Sequence, residues 1–375
     1  MSLTQQNRIN SLDFLRGVAS LAVAWFHLCT FHYTSPDGRY YQLLRSTGTY
    51  GWLGVEVFFV ISGFVIPYSL NRAGYQLQSY PRFILKRIVR LDPPYLVSII
   101  LILLLDFAYA AYSGRPFVIE GQPVSLVRVL LHLGYLNMFF NHAWLNPAFW
   151  TLAIEFQYYL MIGLGFPLVN SRNRIIRWAV LALFASGGFF VGGHGLLPDG
   201  APYGPFIFTF SFMFLLGIVT FQRHSKLIGA AEYAILITAA LIGTWLTVGL
   251  PAMAAGLFAV VAINFYNKRQ VITKFLGDIS YSLYLLHWPV GHLTLSLVGS
   301  KLLGATSDGA RIAVIFFALA VCLVSSYLLY LLVERPAQQW SSRIKYGTSR
   351  KQAVVEEVSG IAPASSPEPT ATEAT

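Results

Sequence analysis

The sequence predicts an all-α polytopic membrane protein of about ten transmembrane helices, with both termini in the cytoplasm. Of its 375 residues, 55% are hydrophobic and only 11% are charged, whereas about a quarter of the residues in soluble domains are charged. Several apolar stretches reach the roughly 20 residues that cross about 30 Å of hydrocarbon, and each satisfies its backbone there as a helix. We therefore expect a multi-pass protein of the cell (inner) membrane.

Ten apolar runs, bounded by charged residues or by Gly and Pro clusters, are the predicted crossings. The first run carries Asp13 and Arg16 near its start and has no A-x-A site after it, so we expect a retained helix rather than a cleaved signal peptide. The runs span residues 12–33, 52–70, 91–112, 149–168, 176–193, 205–221, 232–249, 251–266, 275–299 and 310–333.

Charge fixes the predicted orientation. With the amino terminus inside, most of the Lys and Arg residues fall on the cytoplasmic side, as the positive-inside rule requires. Segment 124–140 is apolar enough to be an eleventh crossing, but that reading would move the Arg172, Arg174 and Arg177 cluster outside. We expect an amphipathic helix at the outer face, or one that dips partway in. Residues 1–345 are expected to form the membrane domain, and 346–375 a disordered cytoplasmic tail rich in Ala, Ser, Pro, Thr and Glu.

The first helix carries two ionisable residues, Arg16 and His27, on one face and about 16 Å apart along the axis. Ionisable residues within a membrane are costly and usually functional. Glu56 and Glu155 each lie a turn or two into a helix that runs inward, so we expect them at the level of His27. An imidazole beside a carboxylate can act as a general base on a hydroxyl. Taken singly, each of these three residues could equally be a structural partner in an interhelical hydrogen bond. His287 lies slightly deeper, and a structural role is the preferred interpretation for it.

Arg87 and Arg90 form a second group, three residues apart at the cytoplasmic end of the third crossing, where Arg16 also enters. Arginine forks match the geometry of phosphates. Topology and anionic lipids also favour basic residues here, and that is the preferred explanation for Lys86. The two groups together indicate an amphipathic ligand with phosphates inside and a reacting end in the bundle. Coenzyme A thioesters have this form.

Other ligand classes have weaker support. The formal charge of +10 is spread over loops without a recognition motif, so no nucleic-acid partner is expected. Cys29 and Cys322 lie in hydrophobic runs and provide neither a disulfide framework nor a metal-ligand spacing, so no metal is expected. Membrane lipids are the expected surroundings.

Over residues 8 to 340 the chain resembles the integral-membrane acyltransferase-3 family, whose bacterial members O-acylate envelope polysaccharides and related acceptors. The resemblance rests on RINSLDFLRGVASLAVAWFH, GVEVFFVISGFVI, RIVRLDPPY, WTLAIEFQYY, LGDISYSLYLLHWP and VERPAQQW, in this order. It implies that Arg16 and His27 are the essential pair, with His27 the base or a transient acyl carrier. It also implies that Arg87 and Arg90 bind acyl-CoA and that Glu155 is the supporting carboxylate; Lys86 departs from the family's usual double arginine.

The predicted function is therefore transfer of an acyl group, with acetyl favoured, from cytoplasmic acyl-CoA to a hydroxyl of a sugar, polysaccharide or glycolipid at the outer face. The predicted catalytic residues are His27, Arg16, Glu155 and Glu56, and the predicted donor-binding residues are Arg87, Arg90 and Arg16. A transporter or exporter with titratable residues along its pathway is the rival interpretation. The identity of the acceptor, the acyl group, the oligomeric state, and direct transfer against an acyl-enzyme stay open.

Overall fold

The structure is a computed structural model that describes residues 10–30, 39–192, 206–268, 270–302 and 307–346. Within these ranges the chain is almost entirely helical, which confirms the all-α class. The helices are α1 (Asn10–Thr30), α2 (Arg39–Gly48), α3 (Gly54–Arg72), α4 (Tyr80–Ser113), α5 (Leu126–His132), α6 (Phe149–Val169), α7 (Arg174–Gly192), α8 (Ser211–His224), α9 (Ala230–Thr247), α10 (Leu250–Phe265), α11 (Val271–Thr294), α12 (Asp308–Leu329) and α13 (Arg335–Arg343).

Among the described residues, seven helical segments are long and apolar enough to cross a membrane, and α10 is a shorter apolar helix. The seven are Asn10–Thr30, Arg39–Arg72, Leu77–Ser113, Phe149–Val169, Ile207–His224, Ala230–Thr247 and Asp308–Arg343. Each of the ten predicted runs coincides with a helix, but the count of ten crossings and the cytoplasmic placement of the termini stay predictions. Residues 347–375 of the predicted tail lie outside the described residues.

Helices α1 and α11 run side by side in the same direction. A Cβ atom on Gly17 would lie 2.7 Å from Cβ of Leu276, and one on Gly277 would lie 2.6 Å from the carbonyl oxygen of Asp13. The two glycines therefore allow the backbones to approach closely. This packing places Arg16 of α1 against Ser280 of α11, and His27 of α1 against His287, about two turns further along α11.

Helix α4 is longer than the sequence indicated. It begins at Tyr80, with Pro81 in its first turn, and continues for 34 residues through Pro93 and Pro94. Proline at the start of a helix costs no hydrogen bond, because the first backbone donors have no partner within the helix. The predicted run 91–112 therefore covers only the later part of this helix, which begins about three turns earlier. Arg87 and Arg90 lie inside a continuous helix.

Segment 124–140 does not form a crossing. Helix α5 has seven residues, so it spans about 10 Å. The preceding hairpin pairs β1 (Val118–Ile119) with β2 (Gln122–Pro123) in antiparallel fashion. This agrees with the preference against an eleventh crossing, whereas an amphipathic helix at the outer face, or one that dips partway in, stays a prediction.

Arg128 of α5 holds this region together from inside. Its side chain is fully buried and donates hydrogen bonds to the carbonyl oxygens of Ile119, Gln122, Ala143 and Trp144, at 2.8 to 3.0 Å. His132 is also buried, and burial lowers its pKa to about 4. Such dense pairing of a buried cation to backbone carbonyls gives Arg128 a structural role.

Helix α6 begins within the bundle rather than at its surface. Asn146, which is fully buried, donates from its amide to the carbonyl oxygen of Leu285 at 3.0 Å, and its Oδ1 accepts from the backbone N–H of Ala148 at 2.9 Å. One turn on, Thr151 is hydrogen bonded to the hydroxyl of Tyr284 at 2.6 Å. The side chains at the start of α6 thus lie deeper than a helix that begins at the membrane surface would place them.

We expect Gly63→Ala to lower the stability of the bundle, because α3 and α8 touch at this position. A Cβ atom on Gly63 would lie 2.3 Å from the carbonyl oxygen of Phe214, and relieving such an overlap costs about 1–3 kcal/mol. The measurement is the melting temperature of the purified protein in detergent. Gly165→Ala is the control, since no atom lies within 4 Å of its added Cβ. Equal melting temperatures for the two variants would contradict the close approach of α3 and α8.

Candidate active site

A cavity near the amino-terminal end of α1 collects four basic side chains. Arg16, Lys86, Arg87 and Arg90 line it, and we call it the arginine cavity. Apolar side chains of α3 and α4, such as Phe58, complete much of its wall. The structure therefore brings together the three arginines that the sequence analysis singled out.

Arg87 is buried but incompletely paired. Its guanidinium lies 5.2 Å from the ring centroid of Phe83 and 5.6 Å from that of Tyr159, and its Nε has no hydrogen-bond partner among the described residues. Arg90 interacts electrostatically with both Arg16 and Arg87. Like charges repel, so these arginines form a region of positive potential within the cavity.

Lys86 faces the end of the described chain. Its Nζ donates a hydrogen bond to the carbonyl oxygen of Ile344 at 3.2 Å and lies 5.3 Å from the ring centroid of Tyr346. These contacts give Lys86 a structural task in holding the segment that follows α13 against α4.

Glu155 lies in the arginine cavity. Its Oε1 accepts hydrogen bonds from the hydroxyls of Ser62 at 2.6 Å and Tyr159 at 2.5 Å. The carboxylate is thus fixed by two neighbouring groups, and its charge offsets part of the positive charge of the arginines.

Glu334 is a second carboxylate near the arginines, and sequence reasoning missed it. It is buried, accepts hydrogen bonds from the backbone N–H and hydroxyl of Ser282 at 3.2 and 2.6 Å, and interacts electrostatically with Arg16 and Arg90. Its signal was its position in VERPAQQW, a motif to which no chemistry was assigned. Arg16 itself donates from Nε to the hydroxyl of Ser280 at 3.2 Å.

A second cavity lies near the other end of α1. His27 and Thr30 of α1 line it with His287, Trp288 and His292 of α11, and we call it the histidine cavity. The ring of His27 lies 5.1 Å from that of His287 and 5.0 Å from that of Trp288, between centroids. The sequence predicts His287 slightly deeper than His27, whereas the structure sets the two imidazoles side by side.

Tyr284 lies between the two cavities. It lines the arginine cavity, and its ring centroid lies 5.7 Å from that of His287, which lines the histidine cavity. A side-chain layer of Tyr284 and His287 therefore stands between the arginines and His27.

The predicted cluster of His27, Glu56 and Glu155 at one level is not what the structure shows. Glu155 lies with the arginines because α6 begins inside the bundle and carries it deeper. Glu56 is 1% exposed and lines neither cavity, and its Oε2 has no hydrogen-bond partner in the described chain. The orientation of His27 by either carboxylate is thus unsupported by the geometry.

Metal ligation has no support in the described ranges. No group of three or more His, Cys, Asp or Glu side chains there is placed to hold a metal ion. Cys29 and Cys322 are both buried and unbridged. The chemistry available to the site is that of arginines, carboxylates, hydroxyls and imidazoles.

The chain is similar in sequence to proteins of a known family. Residues 9–331 match the sequence model of the acyltransferase-3 family, described as an acyltransferase domain. BcsY of Komagataeibacter xylinus, named as a membrane-bound transacylase, is 26% identical over 93% of this chain and 88% of its own length. Acyltransferase MdmB of Streptomyces mycarofaciens is 25% identical, over 90% of this chain and 93% of its own.

The O-acetyltransferase OatA of Staphylococcus aureus is also similar. It is 26% identical over 74% of this chain, and the match covers 50% of OatA. No solved structure matches the chain.

We expect Glu155→Ala to destabilise the protein more than Glu155→Gln. Alanine leaves the hydroxyls of Ser62 and Tyr159 without their acceptor, which costs about 1–3 kcal/mol for each buried group left unpaired, and it removes one of the two carboxylates near the arginines. Glutamine keeps an acceptor oxygen and removes only the charge. Melting temperatures of the two variants in detergent separate these contributions, and a wild-type melting temperature for Glu155→Ala would contradict the structural role of these hydrogen bonds.

Proposed function

Because the chain belongs to the acyltransferase-3 family and is a membrane O-acyltransferase, we propose that its donor is a cytoplasmic acyl-CoA, with acetyl-CoA preferred. The acceptor is a hydroxyl of a sugar, polysaccharide or glycolipid presented at the outer face of the cell (inner) membrane. The observation that carries this proposal is the pair of cavities, one lined by arginines and the other by His27, at successive levels of α1.

The phosphates of the donor bind in the arginine cavity. Arg87 and Arg90 lie one turn apart on α4, and Arg16 reaches the same cavity from α1. Three guanidinium groups, of which Arg87 has an Nε without a partner in the described chain, suit a diphosphate, which accepts paired hydrogen bonds from each fork. Glu155 and Glu334 limit the repulsion among the arginines while the site is empty of ligand.

The acyl end of the donor extends from the arginine cavity towards His27. The apolar side chains of Phe58 and Leu152 line the route, and they suit a flexible pantetheine arm better than they suit a charged group. Tyr284 lies at the end of this route and must move aside for the thioester to reach the histidine cavity.

His27 acts as the general base. The hydroxyl oxygen of the acceptor forms a bond to the carbonyl carbon of the thioester, and its proton moves to the free ring nitrogen of His27. The carbon–sulfur bond then breaks, and the coenzyme A thiolate takes the proton from His27 as it leaves. A general base of this kind contributes about 10²–10⁴-fold to the rate.

The rival interpretation is transport of an intact substrate. It has less support than acyl transfer because the family is one of acyltransferases. It predicts movement of substrate across the membrane without ester formation.

We expect His27→Ala to lower acyl transfer by about 10²–10⁴-fold without loss of membrane insertion. The measurement is turnover of labelled acetyl-CoA by membrane vesicles, with recovery of the label as base-labile ester in the glycan and lipid-linked sugar fractions. His224→Ala is the control, since the ring of His224 packs against Phe64 and Tyr68 and lines neither cavity. Transfer by His27→Ala at the wild-type rate would refute the role of His27.

We expect Arg87→Gln to raise KM for acetyl-CoA by about 10- to 100-fold, because a hydrogen bond to a charged group contributes about 1.5–3 kcal/mol. The same substitution should leave KM for acetyl-pantetheine, which has no phosphate, close to that of the wild type. Arg82→Gln is the matched control, since Arg82 is exposed on the same helix. An equal effect of Arg87→Gln on both donors would contradict phosphate binding at this residue.

A further inference from the structure

His287 is the titratable side chain that the structure places against His27. The ring centroids are 5.1 Å apart and the rings are inclined by 32°. His287 is 1% exposed, so its ring orientation is set by the protein rather than by water. The proposed mechanism gives this second imidazole no task.

One ring nitrogen of His287 is committed to the backbone. Its Nδ1 lies 3.1 Å from the carbonyl oxygen of Leu283, one turn earlier on α11. Since a carbonyl oxygen can only accept a hydrogen bond, Nδ1 carries the proton. Nε2 of a neutral His287 is then an acceptor, and it is buried without a hydrogen-bond partner in the described ranges.

A base in acyl transfer needs a neighbouring group that fixes its tautomer and orientation. Carboxylates commonly fill this role, but Glu155 is bound to Ser62 and Tyr159 in the arginine cavity. Two imidazoles joined by an N–H···N hydrogen bond of about 3 Å have centroids about 5 Å apart, since each nitrogen lies about 1 Å from its own centroid. The distance between His27 and His287 matches this arrangement.

We propose that His287 is a positioning residue for His27. A small rotation of the rings lets Nε2 of His287 accept a hydrogen bond from the N–H of His27, which leaves the other nitrogen of His27 unprotonated and facing the acceptor hydroxyl. When His27 takes the hydroxyl proton, the same hydrogen bond stabilises the imidazolium. No proton passes to His287, and it regains its resting state when the coenzyme A thiolate takes the proton from His27.

This inference rests on the proposed function, and its test compares His287→Ala with His287→Gln. The amide oxygen of glutamine can accept the N–H of His27, whereas alanine cannot. We expect His287→Ala to lower kcat by about 10- to 100-fold, less than the loss of the general base itself would cause, with KM for acetyl-CoA unchanged. His287→Gln should recover kcat to within a few-fold of the wild type. Val290→Ala, which trims the same helix without removing an imidazole, should match the wild type.

A purely structural role for His287 predicts a different result. Equal losses of kcat in His287→Ala and His287→Gln, or an equal loss in Val290→Ala, would overturn the proposal. So would an effect on KM alone.

A spectroscopic measurement decides the proposal independently of turnover. In protein labelled with ¹⁵N-histidine, with the His27 signals assigned from the His27→Ala variant, His27 should show one protonated and one unprotonated ring nitrogen. His287→Ala should give a mixture of the two tautomers. An unchanged single tautomer in His287→Ala would overturn the proposal, whereas absence of acetyl-CoA turnover in the wild type would count against the proposed function instead.

Discussion

The site depends on the close parallel packing of α1 and α11. Gly17 and Gly277 let the two backbones meet at the amino-terminal end of α1, and at the other end Gly291 lies against Leu28, where an added Cβ would be 2.8 Å from Cδ2 of Leu28. Because both helices advance in the same direction, one helix pair sets two levels of chemistry at once. Larger residues at these contacts would force α1 and α11 apart, and would also shift them relative to the helices that complete each cavity.

Charge within the bundle is balanced by helices that do not belong to this pair. The carboxylate of Glu155 arrives from α6, and that of Glu334 from the π-helical segment Tyr330–Glu334 that follows α12. Each carboxylate accepts hydrogen bonds from hydroxyl or amide donors. Since an uncompensated charge in a low-dielectric interior is costly, carboxylates close to the arginines stabilise this part of the bundle. The site is thus assembled from elements that are distant in sequence.

Much of this arrangement was predictable from the sequence, and the exceptions have physical causes. Hydrophobic runs indicated each of the main helices, and the spacing of Arg87 and Arg90 indicated their common face. The level of Glu155 was not predictable, because the sequence does not reveal that Asn146 bonds inside the bundle and lets α6 start there. The start of α4 was missed because its first turns are rich in charged residues. The contact of His27 with His287 depends on how α1 packs against α11, and the periodicity of the sequence does not predict which helices pack together.

The layer of Tyr284 and His287 also affects how well the bundle insulates the two sides of the membrane from each other. Polar cavities at two levels of one bundle could join into a water-filled path, and a membrane potential moves ions through such a path with about 2.3 kcal/mol per charge per 100 mV. The aromatic ring of Tyr284, tied to Thr151 at 2.6 Å, interrupts that path with a packed side chain. In the proposed mechanism, a thioester arm that displaces the ring also fills the space it opens. The two polar cavities therefore stay separated by packed side chains both before and after the donor binds.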